Sequence, residues 1–220
     1  MRDDNVLILF TKAPCICRVK TRMQPALSYR ESLYLHKKLT THAINQFRNN
    51  KDFKLIVYTT QVDKIRYQYP YKIKLKEQVG LNLGMKMNHA IKNELNSAQR
   101  VLLIGSDFLN LNLDYIQKAF ALLSHTNDVV IGPTIDGGYG LIGMSKQNEF
   151  LFKKMSWGTL SVLDKTVRLA QRYGRNINAL EKITDIDTIE DLSQLENKMT
   201  LPNWINPLLQ NRMQSLTNKF

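Results

Sequence analysis

A group of cationic side chains follows the first apolar run of the chain. Four cations and one hydroxyl occur close together: Lys12, Arg18, Lys20, Thr21 and Arg22. Arginine offers forked donors and lysine a mobile point charge, so this group can neutralise a di- or triphosphate. The chain contains no Walker A sequence, and this basic segment contains no G-x-G-x-x-G, so neither of the two best-known phosphate loops accounts for it. The group therefore indicates either a phosphate-binding loop of another kind or a solvated basic surface.

Acidic side chains occur at two later points. Asp107 follows the apolar run 100–105, and Asp185 and Asp187 precede a helix predicted to begin at residue 189. Carboxylates in such places suit Mg²⁺ or Mn²⁺ that bridges substrate phosphates. The alternative is that they cap the following helices, although Thr188 can already cap the second one.

A further cluster combines an acid with two glycines. Asp136 is followed by Gly137, Gly138 and Tyr139. Paired glycines allow backbone conformations closed to other residues and the close approach of a ligand, but an ordinary hairpin turn has the same signature. Trp157 could line an acceptor pocket, and its default interpretation is a core residue.

Other catalytic types find less support. The four histidines lie in predicted helices or at their ends, which argues against a histidine general base. Cys15 and Cys17 form a C-x-C pair without a second pair, so we expect reduced cysteines rather than a zinc site.

Strands and helices alternate along the chain. Apolar runs predict strands at 6–11, 54–59, 73–76, 100–105, 128–132, 139–144 and 177–180. Helical periodicity predicts helices at 29–47, 83–95, 113–123 and 159–173, and one from 189 onward. This alternation predicts a mainly parallel sheet with helices on both faces, a three-layer α/β/α fold. Ligands of such sheets bind beyond the carboxyl ends of the strands, where all four polar clusters fall.

Composition sets the broad class. With 220 residues, 43% of them hydrophobic, the chain can form one domain with a large core. We expect that domain over residues 1–198 and an appendage over 199–220. The amino terminus lacks the features of a signal peptide and no apolar run is long enough to span a membrane, so we expect a cytoplasmic protein.

The charge of the chain is unevenly distributed. Residues 1–100 hold 19 of the 31 basic residues but only 7 of the 19 acidic ones. This asymmetry favours a polyanionic partner for the first half: a nucleotide or a nucleic acid, with a solvated basic surface as the alternative. No helix-turn-helix or single-strand binding signature is evident, which argues against nucleic acid.

Taken in order, the motifs resemble those of a known family. The segments are FTKAPCICRVKTRM (10–23), GLNLGMKM (80–87), GSD (105–107), GPTIDGGYGLIGM (132–144), SWGTLSVLDKT (156–166) and DIDTIEDL (185–192). Together they resemble the radical-SAM/selenodomain-associated transferases, glycosyltransferases of the Rossmann-like GT-A, nucleotide-diphospho-sugar transferase fold. The basic loop and Gly80–Asn82 also resemble the phospholactate guanylyltransferases. The resemblance covers about residues 6–195.

The resemblance implies roles for individual residues. The phosphate ligands would be Lys12, Arg18, Lys20 and Arg22, with Gly80 and Asn82 near the base. Asp107 and Asp187 would hold Mg²⁺ or Mn²⁺, and Asp136 would be the base, with its glycines facing the acceptor or sugar. Some positions depart from the family: Cys17 stands at a usual glycine, Phe108 and Leu109 at a usual Cys-Pro, and Lys86 at a common arginine.

The resemblance implies a metal-dependent transferase that uses a nucleotide-activated donor. The first version is a glycosyltransferase that uses a nucleotide sugar and a small-molecule acceptor. The second is a nucleotidyltransferase that uses a nucleoside triphosphate and makes a nucleotide-activated product. A third is a nucleotide-binding protein that has lost catalysis. The sequence predicts neither the donor, the acceptor nor the oligomeric state.

Overall fold

The computed structural model describes residues 3–24, 26–66, 69, 73–126, 128–197 and 199–208. In this part of the chain the strands are β1 (Asp3–Thr11), β2 (Lys54–Thr59), β3 (Lys74–Glu77), β4 (Ala98–Gly105), β5 (Asp128–Pro133), β6 (Tyr139–Met144) and β7 (Asn176–Ala179). The helices are α1 (Tyr29–Phe47), α2 (Val62–Arg66), α3 (Leu83–Leu95), α4 (Leu113–Ala121), α5 (Val162–Arg172) and α6 (Ile189–Glu196). Two 3-10 turns lie at Thr21–Met23 and Glu149–Phe152.

All the strands belong to one sheet, in the order β3-β2-β1-β4-β6-β5-β7. β1 pairs in parallel with β2 and β4, and β5 pairs in parallel with β7. β6 runs antiparallel to both of its neighbours, β4 and β5. The mainly parallel sheet is therefore confirmed. Because β1, β4, β5 and β7 share one direction, the segments that follow them emerge at the same edge.

Alternation along the strands sends side chains to two cores. In β1, Leu7 and Leu9 join a cluster with α1, α2 and α4. Val6, Ile8 and Phe10 join the opposite cluster with α3 and α5. A strand buried on both faces reads as a continuous apolar run, which is what β1 shows. The three-layer α/β/α architecture is confirmed.

Capping residues fix where two of the helices begin. At α1, the Ser28 hydroxyl accepts a hydrogen bond from the Glu31 amide, while the Glu31 carboxylate accepts one from the Ser28 amide. Thr188 and Asp191 form the same capping box at α6. These reciprocal bonds satisfy amides that have no partner within the helix. The cap that the sequence suggests for α6 at Thr188 is confirmed.

Several element boundaries differ from those predicted. α2 was not predicted, because its five residues are too few to show helical periodicity. β1 begins three residues earlier than predicted, where Asp3 and Asn5 extend the pairing with β4. α5 begins at Val162 rather than 159, so Leu160, which falls inside the predicted helix, lies in the preceding turn and is 79% exposed.

The segment after α6 packs against the body of the protein. Leu201, Ile205 and Leu208 are buried in a cluster with Leu35 and Leu192, from α1 and α6. The predicted boundary at residue 198 stays a prediction, and residues 209–220 of the appendage lie outside the described part. In the described ranges, no helix has both the length and the apolar character needed to cross a bilayer.

Candidate functional site

A cleft of about 490 Å³ opens at the carboxyl edge of the sheet. Its volume falls in the range of small-molecule sites. Members of all four polar clusters line it: Lys12, Lys20, Thr21, Arg22, Ser106, Asp107, Asp136, Tyr139, Asp185 and Asp187. The structure therefore brings the four clusters together in one site.

The strand directions explain this convergence. Lys12 directly follows β1, and Ser106 directly follows β4, which is the neighbour of β1 in the sheet. Asp136 lies in the turn between β5 and β6, where the Thr134 amide donates a hydrogen bond to the Gly138 carbonyl. The antiparallel β6 makes this turn a hairpin. Asp136 therefore lies in an ordinary hairpin turn and also lines the cleft, so the two interpretations of this cluster do not exclude each other.

Lys20 lies at the centre of the charged groups. Its Nζ is 2.9 Å from Asp107 Oδ2, 3.2 Å from Asp187 Oδ1 and 2.5 Å from the Ile186 carbonyl oxygen. An ammonium has three N–H donors, and here three oxygens surround it. Only 2% of its side chain is exposed. Lys20 is a buried cation held between two carboxylates.

The backbone keeps those two carboxylates together. The Ile186 amide donates to the Asp107 carbonyl at 2.9 Å, and Phe108 forms a β-bridge with Asp185. The segments that follow β4 and β7 are thereby joined beneath the cleft. The Asp107 and Asp187 side chains are 35% and 36% exposed, so both remain open to a ligand.

Charge sets the protonation of Asp107. Burial disfavours its charged form, but the charge of the Lys20 ammonium and its hydrogen bond outweigh burial and hold the pKa of Asp107 below its usual value. Asp107 is therefore ionised at neutral pH. On the far side of Asp187, the Arg22 Nη1 lies 3.4 Å from Oδ2, on a side chain that is 64% exposed.

The remaining carboxylates have different surroundings. Burial, together with repulsion from Asp187 and Asp136, raises the pKa of Asp185 to about 6. Asp136 Oδ1 accepts hydrogen bonds from the Thr134 hydroxyl at 2.5 Å and the Gly138 amide at 3.3 Å. Both bonds fall on one oxygen, so they orient the carboxylate while its other oxygen points elsewhere.

His36 is a residue of the cleft that was not predicted from the sequence. Its ring lies on the buried face of α1 and lines the cleft, with Nε2 donating to the Lys12 carbonyl at 3.0 Å. Burial lowers its pKa, so the ring is neutral at pH 7. The one indication in the sequence was helical spacing, which places His36 on the same buried face as Leu39 and Thr40. A histidine in a helix can thus reach a strand-end site when the helix packs over that edge.

Some predicted site residues do not line the cleft: Arg18, Gly80, Asn82, Gly137, Gly138 and Trp157. Arg18 is exposed. The Asn82 side chain caps α3 by accepting from the Met85 amide at 2.9 Å. Gly80 adopts φ 143°, which favours glycine, in the turn before that helix. The roles predicted for these residues stay predictions.

Trp157 packs beside the cleft rather than in it. Its indole forms a T-shaped contact with Tyr139 and stacks on Phe152. It also covers Gly84, where an added Cβ would lie 2.6 Å from the indole nitrogen. Trp157 therefore supports Tyr139, which does line the cleft.

The positions that depart from the family pattern lie outside the cleft lining. Phe108 and Leu109 are 8% and 4% exposed and belong to hydrophobic clusters. Cys17 is exposed and has φ 63°, a left-handed conformation that favours glycine. This conformation gives a physical reason for a glycine at that position.

Asp107 and Asp187 are the residues that suit a divalent metal. They offer two carboxylates within hydrogen-bond distance of one point, and oxygen is the ligand that Mg²⁺ prefers. Among the described residues, no set of three or more His, Cys, Asp or Glu side chains is arranged to hold a metal. The pair therefore fits an ion that keeps most of its other ligands as water or phosphate, as Mg²⁺ usually does. Lys20 Nζ now lies between the two carboxylates.

Solved structures share this fold. A "putative nucleotide-diphospho-sugar transferase" from Desulfovibrio desulfuricans G20 has a TM-score of 0.87 and 26% identity, over 97% of this chain and 96% of that one. The 4-diphosphocytidyl-2C-methyl-D-erythritol synthase of Anaerococcus prevotii DSM 20548 has a TM-score of 0.56 and 10% identity, over 88% and 96%. CMP:2-keto-3-deoxy-manno-octonic acid synthetase, solved with CTP, has a TM-score of 0.57 and 7% identity, over 89% and 98%. These likenesses confirm the predicted nucleotide-diphospho-sugar transferase (GT-A-like) fold, and at 7–10% identity they concern the fold alone.

Sequence comparison gives the family. No curated protein matches this chain. Residues 43–159 match the family described as "Uncharacterized protein conserved in bacteria (DUF2064)", and this segment is more than half of the chain. The chain therefore belongs to the DUF2064 family.

Proposed function

We propose that the protein is a transferase whose donor is a nucleotide sugar. One observation carries this proposal: the cations Lys12, Lys20 and Arg22 share a cleft with Asp107 and Asp187 at the carboxyl edge of the sheet. The likeness in fold to the Desulfovibrio protein supports it, and so does the resemblance of the motifs to radical-SAM/selenodomain-associated transferases.

The cations of the cleft would bind the diphosphate of the donor. Lys12 and Arg22 are exposed at its surface, so their charges can meet a phosphate without being pulled out of the core. Arg22 offers a planar pair of donors, and Lys12 offers a flexible ammonium. Arg22 and Lys12 would both stabilise the negative charge that develops on the departing nucleoside diphosphate. The excess of basic residues in the first half of the chain attracts the same anion over a longer range.

Asp107 and Asp187 would hold Mg²⁺ or Mn²⁺. When bound, the ion supplies charge neutralisation at the diphosphate. Asp107 is prepared for this role because its pKa is lowered and it presents an ionised carboxylate at neutral pH.

Asp136 would take the proton of the acceptor hydroxyl. The Thr134 hydroxyl and Gly138 amide hold Oδ1, which fixes the carboxylate and leaves Oδ2 for the acceptor. The acceptor would lie along the hairpin of Gly137 and Gly138, with Tyr139 and Trp157 behind it. The nucleobase would lie toward Gly80 and Asn82, beside Leu83, which lines the same cleft.

Nucleotidyl transfer is the second candidate. Two structures with the same fold are named as a diphosphocytidyl-methylerythritol synthase and a CMP-sugar acid synthetase, the latter with CTP. In that reaction a substrate phosphate attacks the α-phosphate of a nucleoside triphosphate, and pyrophosphate leaves. The same cations and carboxylates would serve it, because both reactions require neutralisation of a departing phosphate group.

Product analysis separates the candidates. The protein is incubated with Mg²⁺ or Mn²⁺ and a panel of nucleotide sugars and nucleoside triphosphates. Slow metal-dependent release of a nucleoside diphosphate from one nucleotide sugar supports the proposal, and pyrophosphate release that requires an acceptor phosphate supports the second candidate. Metal-dependent nucleotide binding without turnover on any pair would indicate a protein that has lost catalysis.

A variant tests the role of Asp107. We expect Asp107→Ala to abolish metal-dependent nucleotide binding while the protein keeps its circular dichroism spectrum. Asp164→Ala, which removes a surface carboxylate that is 73% exposed, is the matched control and should bind like the wild type. Unchanged nucleotide affinity in Asp107→Ala would contradict the metal assignment.

A further inference from the structure

Lys20 lies where a cation bound to both carboxylates would lie. Its Nζ is within 3.2 Å of one oxygen of Asp107 and one of Asp187, and it also binds the Ile186 carbonyl. A metal coordinated by the same two oxygens needs the space that Nζ fills. The ammonium and the metal therefore exclude each other from this position.

We propose that Lys20 is a tethered competitor of the divalent cation. In the protein without nucleotide, its ammonium offsets one of the two negative charges of the Asp107–Asp187 pair and holds divalent cations off. When a nucleotide phosphate draws Lys20 into the cleft, the two carboxylates become free for the metal. Nucleotide and metal then bind cooperatively, since each favours the state in which Lys20 has left the pair.

The backbone at Lys20 supports this role. Lys20 has φ 50° and ψ 38°, a left-handed conformation that is costly for a residue with a side chain. It precedes the 3-10 turn Thr21–Met23, and its carbonyl accepts a hydrogen bond from the Met23 amide at 3.0 Å. The contacts of the ammonium thus help to hold an unfavourable backbone, and release of the side chain relieves that strain. Such a residue is suited to two states.

The two carboxylates do not depend on Lys20 for their placement. The hydrogen bond from Ile186 to the Asp107 carbonyl and the bridge between Phe108 and Asp185 join their segments through the backbone. Removal of the ammonium therefore leaves an acidic pair in place. That pair has lost its internal cation and should take an external one.

The test measures Mn²⁺ binding in the absence of nucleotide, by calorimetry or by the electron paramagnetic resonance signal of free Mn²⁺. We expect Lys20→Met to bind Mn²⁺ at least tenfold more tightly than the wild type. Arg22→Met is the matched control, because it removes a cation 3.4 Å from the same Asp187 without emptying the space between the carboxylates. It should tighten binding by less than threefold. Adding Asp107→Asn to Lys20→Met should abolish the gain, which locates the ion.

Several results would overturn the inference. They are equal Mn²⁺ affinities in the wild type and Lys20→Met, an equal gain in Arg22→Met, and a wild-type dissociation constant below about 10 µM without nucleotide. Lys20→Gln, which keeps N–H donors without the charge, repeats the test should Lys20→Met fail to fold. The inference rests on the proposed metal but not on the reaction, because no step of the test requires turnover. An inactive protein with the expected Mn²⁺ affinities would reject only the proposed function.

Discussion

Gly137 combines a left-handed backbone conformation with a close backbone neighbour. It has φ 80°, and a Cβ built on it would lie 2.3 Å from the Leu160 carbonyl oxygen and 2.9 Å from its carbonyl carbon. The obstacle is backbone, which cannot rotate away as a side chain can. Gly137→Ala thus combines a strained conformation with an overlap at the turn that carries Asp136.

The chain offers a control that separates these two costs. Gly158 has the same φ of 80°, but nothing lies within 4 Å of its Cβ position. A left-handed conformation costs alanine about 1–2 kcal/mol, so Gly158→Ala should lower the free energy of unfolding by that amount. The overlap adds about 1–3 kcal/mol, so Gly137→Ala should lose about 2–5 kcal/mol in total.

Urea unfolding followed by circular dichroism measures both variants. Gly174→Ala, with φ 63° and open space around it, gives a second value for strain alone. If Gly137→Ala lowered the free energy of unfolding no more than Gly158→Ala does, the turn would be able to move away from Leu160 without loss of stability. That result would refute the expectation that the backbone of Leu160 restricts the turn that carries Asp136.

Two further variants test other parts of the fold. Burial opposes ionisation of Asp128, but hydrogen bonds from the His125 amide, Asn176 and Ser124 outweigh burial and hold the pKa of Asp128 below the ordinary 3.8. Asp128→Asn should therefore lower the free energy of unfolding by about 1–3 kcal/mol at pH 7. Because the pKa of Asp128 is lower in the folded protein, the difference in stability between wild type and Asp128→Asn is present above the ordinary pKa and disappears as the pH falls through the folded pKa. A difference that stayed constant in urea titrations from pH 7 to pH 2 would contradict the lowered pKa. Cys17→Gly should raise the free energy of unfolding by about 0.5–1 kcal/mol, since relief of the left-handed strain exceeds the entropy that glycine adds to the unfolded chain; a lower thermal midpoint would show that the thiol makes a stabilising contact.

Much of the architecture follows from local patterns. The helices at 29–47 and 83–95 and the strands at 54–59 and 139–144 have the predicted bounds, because each combines a clear periodicity with a cap or a turn. The shared edge could also be predicted, since parallel strands between helices place their carboxyl ends together. Asp107, Asp136 and Asp187 meet for that reason.

Side-chain direction in the loops could not be predicted in the same way. Lys20 and Arg18 belong to one basic segment, yet the first is buried between carboxylates and the second is exposed. The backbone is left-handed at Cys17 and Lys20, and this conformation sets the directions of the side chains in the loop. It could not be predicted, because neither position is a glycine. His36 was missed because its place depends on how α1 packs over the sheet, which the sequence of the helix alone does not specify.

The joining of the segments after β4 and β7 also has a consequence during synthesis. The Asp107 carbonyl and the Ile186 amide that bind each other are 79 residues apart in the chain, and two of the three oxygens around Lys20 come from the later segment. A nascent chain that has grown only through β6 holds Asp107 and the basic loop, but it lacks Ile186 and Asp187. The three-oxygen site of Lys20 therefore cannot be complete until the chain has been translated past Asp187, after most of the sheet that surrounds it. Truncation before Ile186 would leave Lys20 with Asp107 but without Asp187 and the Ile186 carbonyl.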